Sequence, residues 1–369
     1  CILRSLISAI MNKFKFYFIL SITTLSLFSC SKNNDTPEIT PPRDYEVQYK
    51  TDIADIETYL KENYIEDVSP DADIKITKIP AGGTQPSIWS YKDKASFPKL
   101  LSRPVKLHGI SYTLYYLVLS EGKAGNPSPS NMDAVLAAYK GEYLSSKTVD
   151  GVTTISSTFF EETKNPQQMF SLQSVIRGWS EIFPQFKTGT YVSNADGTVS
   201  YSDYGAGVMF IPSGLGYFSS GSAAIPAYAP LVFSFKLFEI QRLDQDGDGI
   251  PSYLEDLDGD GYVYDYRDTT NFPTKPETAN PDDTDGDGIP NFLDVDDDGD
   301  GYTTKLETKK PNGSTALDGP SLYYPYNPII SDPSKPTDEL RGVPAFVSEG
   351  VYDYTSPGRL RLYLDKDHH

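Results

Sequence analysis

Twenty of the 51 acidic residues of this 369-residue chain fall between Asp244 and Glu307, where the only Lys and Arg are Arg267, Lys275 and Lys305. Their spacing is that of an ion-binding chain rather than of a diffuse acidic tail. Asp244, Asp246, Asp248 and Gly249, with Glu255 at the twelfth place, fit D-x-D-x-D-G-x5-E. Asp283, Asp285, Asp287 and Gly288 fit it with Asp294 closing. Asp296, Asp298, Asp300 and Gly301 fit it with Glu307 closing. Asp256, Asp258, Asp260 and Gly261 open a further loop, but Arg267 holds its twelfth place, so closure is expected through Asp265 or Asp268. Calcium takes six to eight hard oxygens at about 2.3–2.6 Å. Alternate carboxylates converge on one centre when the chain turns sharply at the sixth-place glycine. The seventh residues, Ile250, Ile289 and Tyr302, are expected to offer a backbone carbonyl and to point their side chains into a small core. The cofactor implied is Ca2+. With so few apolar residues, the segment is expected to fold largely around its ions.

The abutting loops, the DxDGDGIPxxxD pattern and the lack of long flanking helices resemble thrombospondin type-3 repeats more than paired EF-hands. The competing reading of the same residues is a solvated acidic linker.

A second set of residues lies upstream. Ser174-Val175-Ile176-Arg177-Gly178-Trp179 matches the VIxGW signature of FKBP-type peptidyl-prolyl isomerases, preceded by Phe170-Ser171-Leu172. Phe210-Ile211-Pro212-Ser213-Gly214-Leu215-Gly216-Tyr217 resembles that family's IPxxLAYG segment. Ala224-Ile225-Pro226 with Leu231 to Leu237 resembles its IPP and LVFxVEL ending. The resemblance runs from about Ser111 to Ile240. It implies Trp179 as a pocket floor and Val175 and Ile176 as lining, with the Ile176 N–H a donor to the substrate carbonyl. It also implies a hydroxyl from Tyr217 and a wall completed by Ile225 and Phe233. Tyr139 resembles the tyrosine of the family's HYTG motif, and Phe160-Glu161 its Phe-Asp pair, with Glu161 one methylene longer. Gly216-Tyr217-Phe218 replaces the usual AYG, and Gln168 falls where another wall aromatic is common. The chemistry implied is rotation of an X–Pro bond, whose barrier is roughly 18–20 kcal/mol because rotation breaks amide resonance. A dry aromatic cavity favours the twisted, less polar amide, and a few donors hold its carbonyl. The alternative is a non-catalytic FKBP-like scaffold or subunit of an outer-membrane complex, its pocket filled by Phe218 or a neighbouring segment. In a third reading the calcium array is the working part, an adhesive or docking rod.

These residues need elements to position them. Tyr45, Ile53, Ile56, Tyr59, Leu60 and Ile65 recur at helical spacing between Asp44 and Ile65. Ile74 to Ile79 and Ile110 to Leu119 are strand-like, and β-rich sequence runs on to Ile240. Leu360 to Leu364 alternates like a short strand. The fold class expected is α+β: an FKBP-like antiparallel sheet with a short helix, plus an N-terminal helix and a calcium-loop repeat segment. The division expected is a signal peptide over 1–29 starting at Met11, a lipidated tether over 30–42, and a helix and strand region over 43–110. An isomerase domain follows over 111–241, acidic repeats over 242–308 and a tail over 309–369.

Met11 to Cys30 has a basic start and an apolar run too short for a comfortable membrane span. Leu27-Phe28-Ser29-Cys30 resembles a bacterial lipobox, with Phe28 in place of a small residue, so Cys30 is the expected lipidation site. The expected address is the cell envelope, as an outer-membrane lipoprotein facing the periplasm or the cell surface. Exported polypeptides containing X–Pro bonds, and an outer-membrane complex, are the expected partners. A formal charge of −19 argues against nucleic acid. Cysteine occurs only at Cys1 and Cys30, which leaves no disulfide frame or CxxC site downstream. His108, His368 and His369 are the only histidines, so a Ser/His/Asp triad is poorly supported.

Overall fold

Helix α1 covers Tyr45–Glu62. Asp44 caps it, accepting from the Val47 N–H at 3.0 Å, and Asn63 Nδ2 returns to the Tyr59 carbonyl at its end. Its buried residues are Gln48, Asp52, Ile56, Tyr59 and Leu60, a stripe at three- and four-residue intervals. The apolar half of that stripe is the one the periodicity marks. The polar half, Gln48 and Asp52, is not. The computed structural model describes residues 41–311, 321–330 and 339–369. The expected signal segment, Cys30 and nearly all of the tether lie outside the described residues. No helix among the described residues is long and apolar enough to cross a membrane.

After α1 come β1 (Asn63–Val68) and β2 (Ile74–Lys78), an antiparallel pair. The main sheet is built from β3 (Lys99–Leu107), β4 (Ile110–Glu121), β5 (Ala134–Val149), β6 (Val152–Thr163), β7 (Phe170–Ser171), β10 (Gly205–Ile211) and β11 (Leu231–Gln241). Its order is β3-β4-β10-β11-β5-β6, with β7 on β5, and every pairing is antiparallel. Short α2 spans Arg177–Ile182, and β8 (Thr190–Ser193) and β9 (Val199–Ser202) form a hairpin between α2 and β10. The chain is thus mostly antiparallel sheet with few helices, compatible with an FKBP-like fold.

Strand alternation makes two cores. Tyr112, Leu114, Tyr116 and Val118 of β4 join Met209, Ile211, Phe233 and Phe235 on the face that carries α2 and Trp179. Tyr115, Leu117, Val208, Phe210 and Val232 point the other way, and α1 covers them with Ile56, Tyr59 and Leu60. A sheet buried on both faces explains why β10 is buried at every position.

Two expectations change here. β3 pairs along its whole length with β4, so the sheet begins at Lys99 rather than at the expected boundary of 111. The Leu360–Leu364 segment contains a 3-10 turn, Leu362–Leu364, rather than a strand: the Leu364 N–H bonds back to the Arg361 carbonyl, and among the described residues no strand pairs with it. Tyr363 is fully buried, and with Ile250, Tyr324 and Val343 it packs the tail onto the first acidic loop.

Candidate functional site

The pocket residues come from separate elements. Tyr139 lies on β5, Phe160 and Glu161 on β6, Phe233 on β11, and Val175 and Ile176 in the turn before α2. Trp179 is in the first turn of α2. A Cβ on Gly178 would sit 2.6 Å from the Ile211 side chain, so only glycine lets α2 lie this close to β10. Trp179 meets Tyr139 at 5.1 Å and Phe233 at 5.3 Å between ring centroids, both edge-on, and Phe160 meets Phe233 at 5.6 Å. Edge-to-face packing suits the aromatic quadrupole. Val175, Ile176, Tyr217 and Ile225 belong to the same cluster. The structure therefore brings all nine sequence-marked pocket residues into one region. It adds Phe170, 5.7 Å from Trp179, and Phe183, 5.3 Å behind it. Phe170 carried a signal in the Phe-Ser-Leu lead-in. Phe183 carried none.

The polar edge is small. Burial raises the pKa of Tyr139 and of Tyr217, and Glu161 adds to both, so the three side chains share one rim. Ser222 holds the Tyr217 hydroxyl and opposes the shift. The buried Trp179 indole N–H meets no acceptor among the described residues. Buried donors of this kind are rare and call for a reason, such as a ligand or water.

Phe218 turns away from the pocket. It stacks on Tyr45 of α1 at 4.1 Å, and Tyr45 stacks on His108 at 3.6 Å. Phe218, Ala223 and Tyr228 all hold positive φ, a concentration of backbone strain in the loop that carries Tyr217. Helix α1 grips that loop. The buried Asp52 carboxylate accepts from the Ser213 N–H at 2.7 Å, from Ser213 Oγ at 2.6 Å and from Gln48 Nε2 at 2.6 Å. The Arg43 guanidinium covers the Tyr228 ring at 4.3 Å.

The acidic segment is not a free stalk. The Tyr262 hydroxyl donates to the Glu181 carbonyl at 2.6 Å, and the Arg103 guanidinium lies 3.4 Å over the Tyr262 ring. Arg103 and Arg177 pair with the fully buried Glu181 carboxylate at 2.9 and 2.8 Å, and the Tyr264 hydroxyl joins them. Asn131 clasps the Val263 backbone through both its amide atoms. The loops thus pack directly behind the helix that carries Trp179.

Four loops repeat one geometry. The sixth-place glycines Gly249, Gly261, Gly288 and Gly301 hold φ between 89° and 108° and donate to the first-place Asp244, Asp256, Asp283 and Asp296. The seventh-place N–H groups of Ile250, Tyr262, Ile289 and Tyr302 donate to Asp248, Asp260, Asp287 and Asp300. Carboxylate oxygens gather in five groups: Asp244/Asp246/Asp248, Asp248/Glu255/Asp297, Asp256/Asp258/Asp282, Asp283/Asp285/Asp287 and Asp296/Asp298/Asp300. Asp260 lies outside these groups, and Asp282 stands with Asp256 and Asp258 in its place. The twelfth-place Asp294 also lies outside them and accepts from the Asp296 N–H. Glu307 feels Asp298, Asp300 and Asp296 and is pushed up to about 8, burial first. Glu255 and Asp297 rise to about 10 and about 9, again from burial first and then from neighbouring carboxylates. Such groups must take up protons or face a cation. An all-oxygen, carboxylate-rich donor set fits a hard divalent ion.

The second loop corrects the expected closure. Asp265 is taken by Arg267 at 2.8 Å, and Asp268 accepts from its own turn. Asp282, far along the chain, stands with Asp256 and Asp258 instead. Ile250 enters a small core as expected. Tyr302 is exposed and stacks on His369 at 3.8 Å.

Residues 245–337, the loops and the start of the tail, match the family described as BamM C-terminal. Among solved structures, the chain is similar to a peptidyl-prolyl cis-trans isomerase from Pseudomonas syringae pv. tomato at 18% identity. That match covers 55% of this chain and 100% of the other, with a TM-score of 0.29. It is also similar to FkpA from Escherichia coli at 27% identity, over 35% of this chain and 48% of FkpA, with a TM-score of 0.25. The chain spans about half the length of FkpA. At such TM-scores these likenesses carry no weight of their own. No curated protein matches the chain.

Proposed function

We propose that this protein is an FKBP-type peptidyl-prolyl cis-trans isomerase of the bacterial cell envelope, acting on X–Pro bonds of exported polypeptides and carrying calcium in its acidic loops. The observation that carries the reading is the aromatic box of Trp179, Tyr139, Phe160, Phe170 and Phe233, rimmed by Glu161 and Tyr217. In it the prolyl ring packs on the Trp179 floor. Ile176 N–H and the Tyr217 hydroxyl hold the substrate carbonyls. The dry walls disfavour the planar, strongly polar amide and so lower the rotation barrier. Glu161 orients the Tyr139 hydroxyl at the rim. No proton is transferred and no covalent intermediate forms. Calcium, when bound, neutralises the clustered carboxylates and stiffens the loops behind α2. Its proposed donors are Asp244, Asp246, Asp248, Glu255, Asp256, Asp258, Asp282, Asp283, Asp285, Asp287, Asp296, Asp298, Asp300 and Glu307. Carbonyls of Ile250, Ile289 and Tyr302 complete the set. The proposal places the mature chain on the outer membrane through lipid at Cys30, facing the periplasm or the cell surface.

A second reading makes the chain a subunit of an outer-membrane complex with an idle pocket. The match of residues 245–337 to the BamM C-terminal family supports it. Phe218 stacks on Tyr45 rather than on the Trp179 cluster, which supports the first reading over a pocket filled by Phe218.

The test is isomerisation of an X–Pro peptide by the full chain in calcium, beside Trp179→Ala and Tyr217→Phe. Clear acceleration, lost in Trp179→Ala and reduced in Tyr217→Phe, supports the enzyme. A folded, calcium-loaded protein that gives no acceleration overturns it and leaves the subunit reading.

A further inference from the structure

We propose that the first and last acidic loops share one calcium ion, held jointly by Asp248, Glu255 and Asp297, and that this ion is the staple joining both loops to the C-terminal tail. The inference deepens the metal reading above and rests on it. Asp297 is not part of the alternating pattern. It occupies the second place of its loop, where the other loops carry Gln245, Leu257 and Thr284. The carboxylates of its own loop that gather are Asp296, Asp298 and Asp300, and Asp297 points instead to the first loop.

The three carboxylates are each at most 2% exposed. Oxygens from all three lie within 4.8 Å of one another. By distance and angle, Asp248 Oδ2, both oxygens of Glu255 and both of Asp297 have no hydrogen-bond partner among the described residues, although the Thr304 hydroxyl lies close enough to Asp297 to favour its charged form. Backbone donors hold the loop Asp residues in place, but the Asp297 carboxylate accepts none of them. Its backbone N–H is tied to Thr304 Oγ1 at 3.4 Å, which fixes the residue and leaves the carboxylate to face the first loop. Five orphaned acceptors from three buried acids, with no buried base among them, are a cage for a hard cation rather than a hydrogen-bond network. Lys305 acts electrostatically on Asp248, and its ammonium donates to the Gly247 carbonyl at 2.9 Å. Glutamate at the twelfth place can bind with both oxygens, and aspartate from another loop adds ligands that a single loop does not supply.

The tail closes over the same place. Tyr363 is fully buried, its hydroxyl has no partner among the described residues, and Asp297 and Glu255 act on it electrostatically along with Tyr326 and Arg361. Ile250, two residues from Asp248, packs with Val343 and Tyr363. One ion at this junction therefore bears on three segments distant in sequence.

The test is calcium titration by calorimetry on the full chain, with Glu255→Gln, Asp297→Asn and the double variant. Asp285→Asn, in the third loop, is the control. A shared ion predicts that Glu255→Gln and Asp297→Asn each abolish the same equivalent of bound calcium or weaken it at least tenfold. The double variant then loses no second equivalent, and Asp285→Asn loses a different one. Unchanged binding in Asp297→Asn, or loss of two equivalents in the double variant where each single variant loses one, overturns the shared ion while leaving calcium in the separate loops. A folded wild type that binds no calcium overturns the metal reading itself. Should the variants fold poorly, anomalous diffraction from wild-type crystals soaked in Mn2+ decides directly. Density between Asp248, Glu255 and Asp297 supports the proposal, and density only within single loops refutes it.

Discussion

Asp52→Ala asks whether helix α1 holds the Tyr217 loop. The carboxylate accepts three hydrogen bonds at 2.6–2.7 Å, two from Ser213 and one from Gln48. Hydrogen bonds to a charged group contribute about 1.5–3 kcal/mol each. Part of that is offset, because burying the carboxylate is unfavourable. Burial raises the Asp52 pKa despite the stabilising bonds from Ser213 and Gln48. Alanine also strands the Ser213 and Gln48 donors in a dry site, where each orphan costs about 1–3 kcal/mol. A net loss of about 3 kcal/mol is expected, or about 5–10 °C in Tm. Ser213→Ala removes only the hydroxyl donor and should cost about 1 kcal/mol. The assay is urea unfolding in calcium, read as a shift in midpoint at constant slope, with kcat/KM on an X–Pro peptide measured alongside. The strained loop from Phe218 to Tyr228 should relax once α1 no longer grips it, and kcat/KM should fall severalfold. An Asp52→Ala protein whose urea midpoint moves by less than corresponds to about 0.5 kcal/mol would refute the reasoning. It would mean that the carboxylate's desolvation cancels all three bonds.

Three further outcomes are expected. A Cβ on Gly141 would lie 2.4 Å from Phe160 Cζ and 2.9 Å from Phe233 Cε1. Gly141→Ala should therefore splay the pocket wall, cost about 1–3 kcal/mol in denaturant unfolding and depress turnover more than stability. His108 is held neutral, its pKa pushed down to about 4 by burial, with the charge of Arg177 adding and Asn271 and Asp268 opposing. The unfolded chain regains the ordinary value of 6.5, so this contribution is full above about pH 6.5 and is lost as pH falls through about 4. In calcium, Tm should drop more steeply across that window for wild type than for His108→Gln, and equal slopes would remove His108 from the account. Glu181→Gln leaves Arg103 and Arg177 without their buried counter-charge and should cost about 3–5 kcal/mol in urea unfolding. A loss under about 1 kcal/mol would show that cation–π contacts with Tyr262 and Tyr264 suffice.

Much of this protein is local enough to be read from its residues. Alternation in Ile110 to Leu119 marks a strand, and the Asp44–Ile65 periodicity marks α1, because each pattern reports one element's own geometry. The pocket residues carry motifs whose spacing survives in one dimension, and the Asp-Gly repeats bend the chain through glycine φ and neighbouring carboxylates alone. What escaped was everything that depends on which distant surfaces meet. Gln48 and Asp52 carry no apolar signal, and only the packing of α1 against the Ser213 turn buries them. Asp282 and Asp297 sit outside the alternating spacing, and only the packing of one loop on another makes them neighbours of Asp256 and Glu255. β3 joins the sheet because β4 offers a free edge, and no pattern within Lys99–Leu107 announces that. Sequence therefore determined α1, the Ile110–Leu119 strand, the aromatic motifs and the Asp-Gly turns of the acidic loops, all set by short-range sterics and spacing. Tertiary structure alone decided what α1 grips, where the loops dock and which carboxylates face one another, because burial and charge proximity are properties of contacts between segments far apart in the chain.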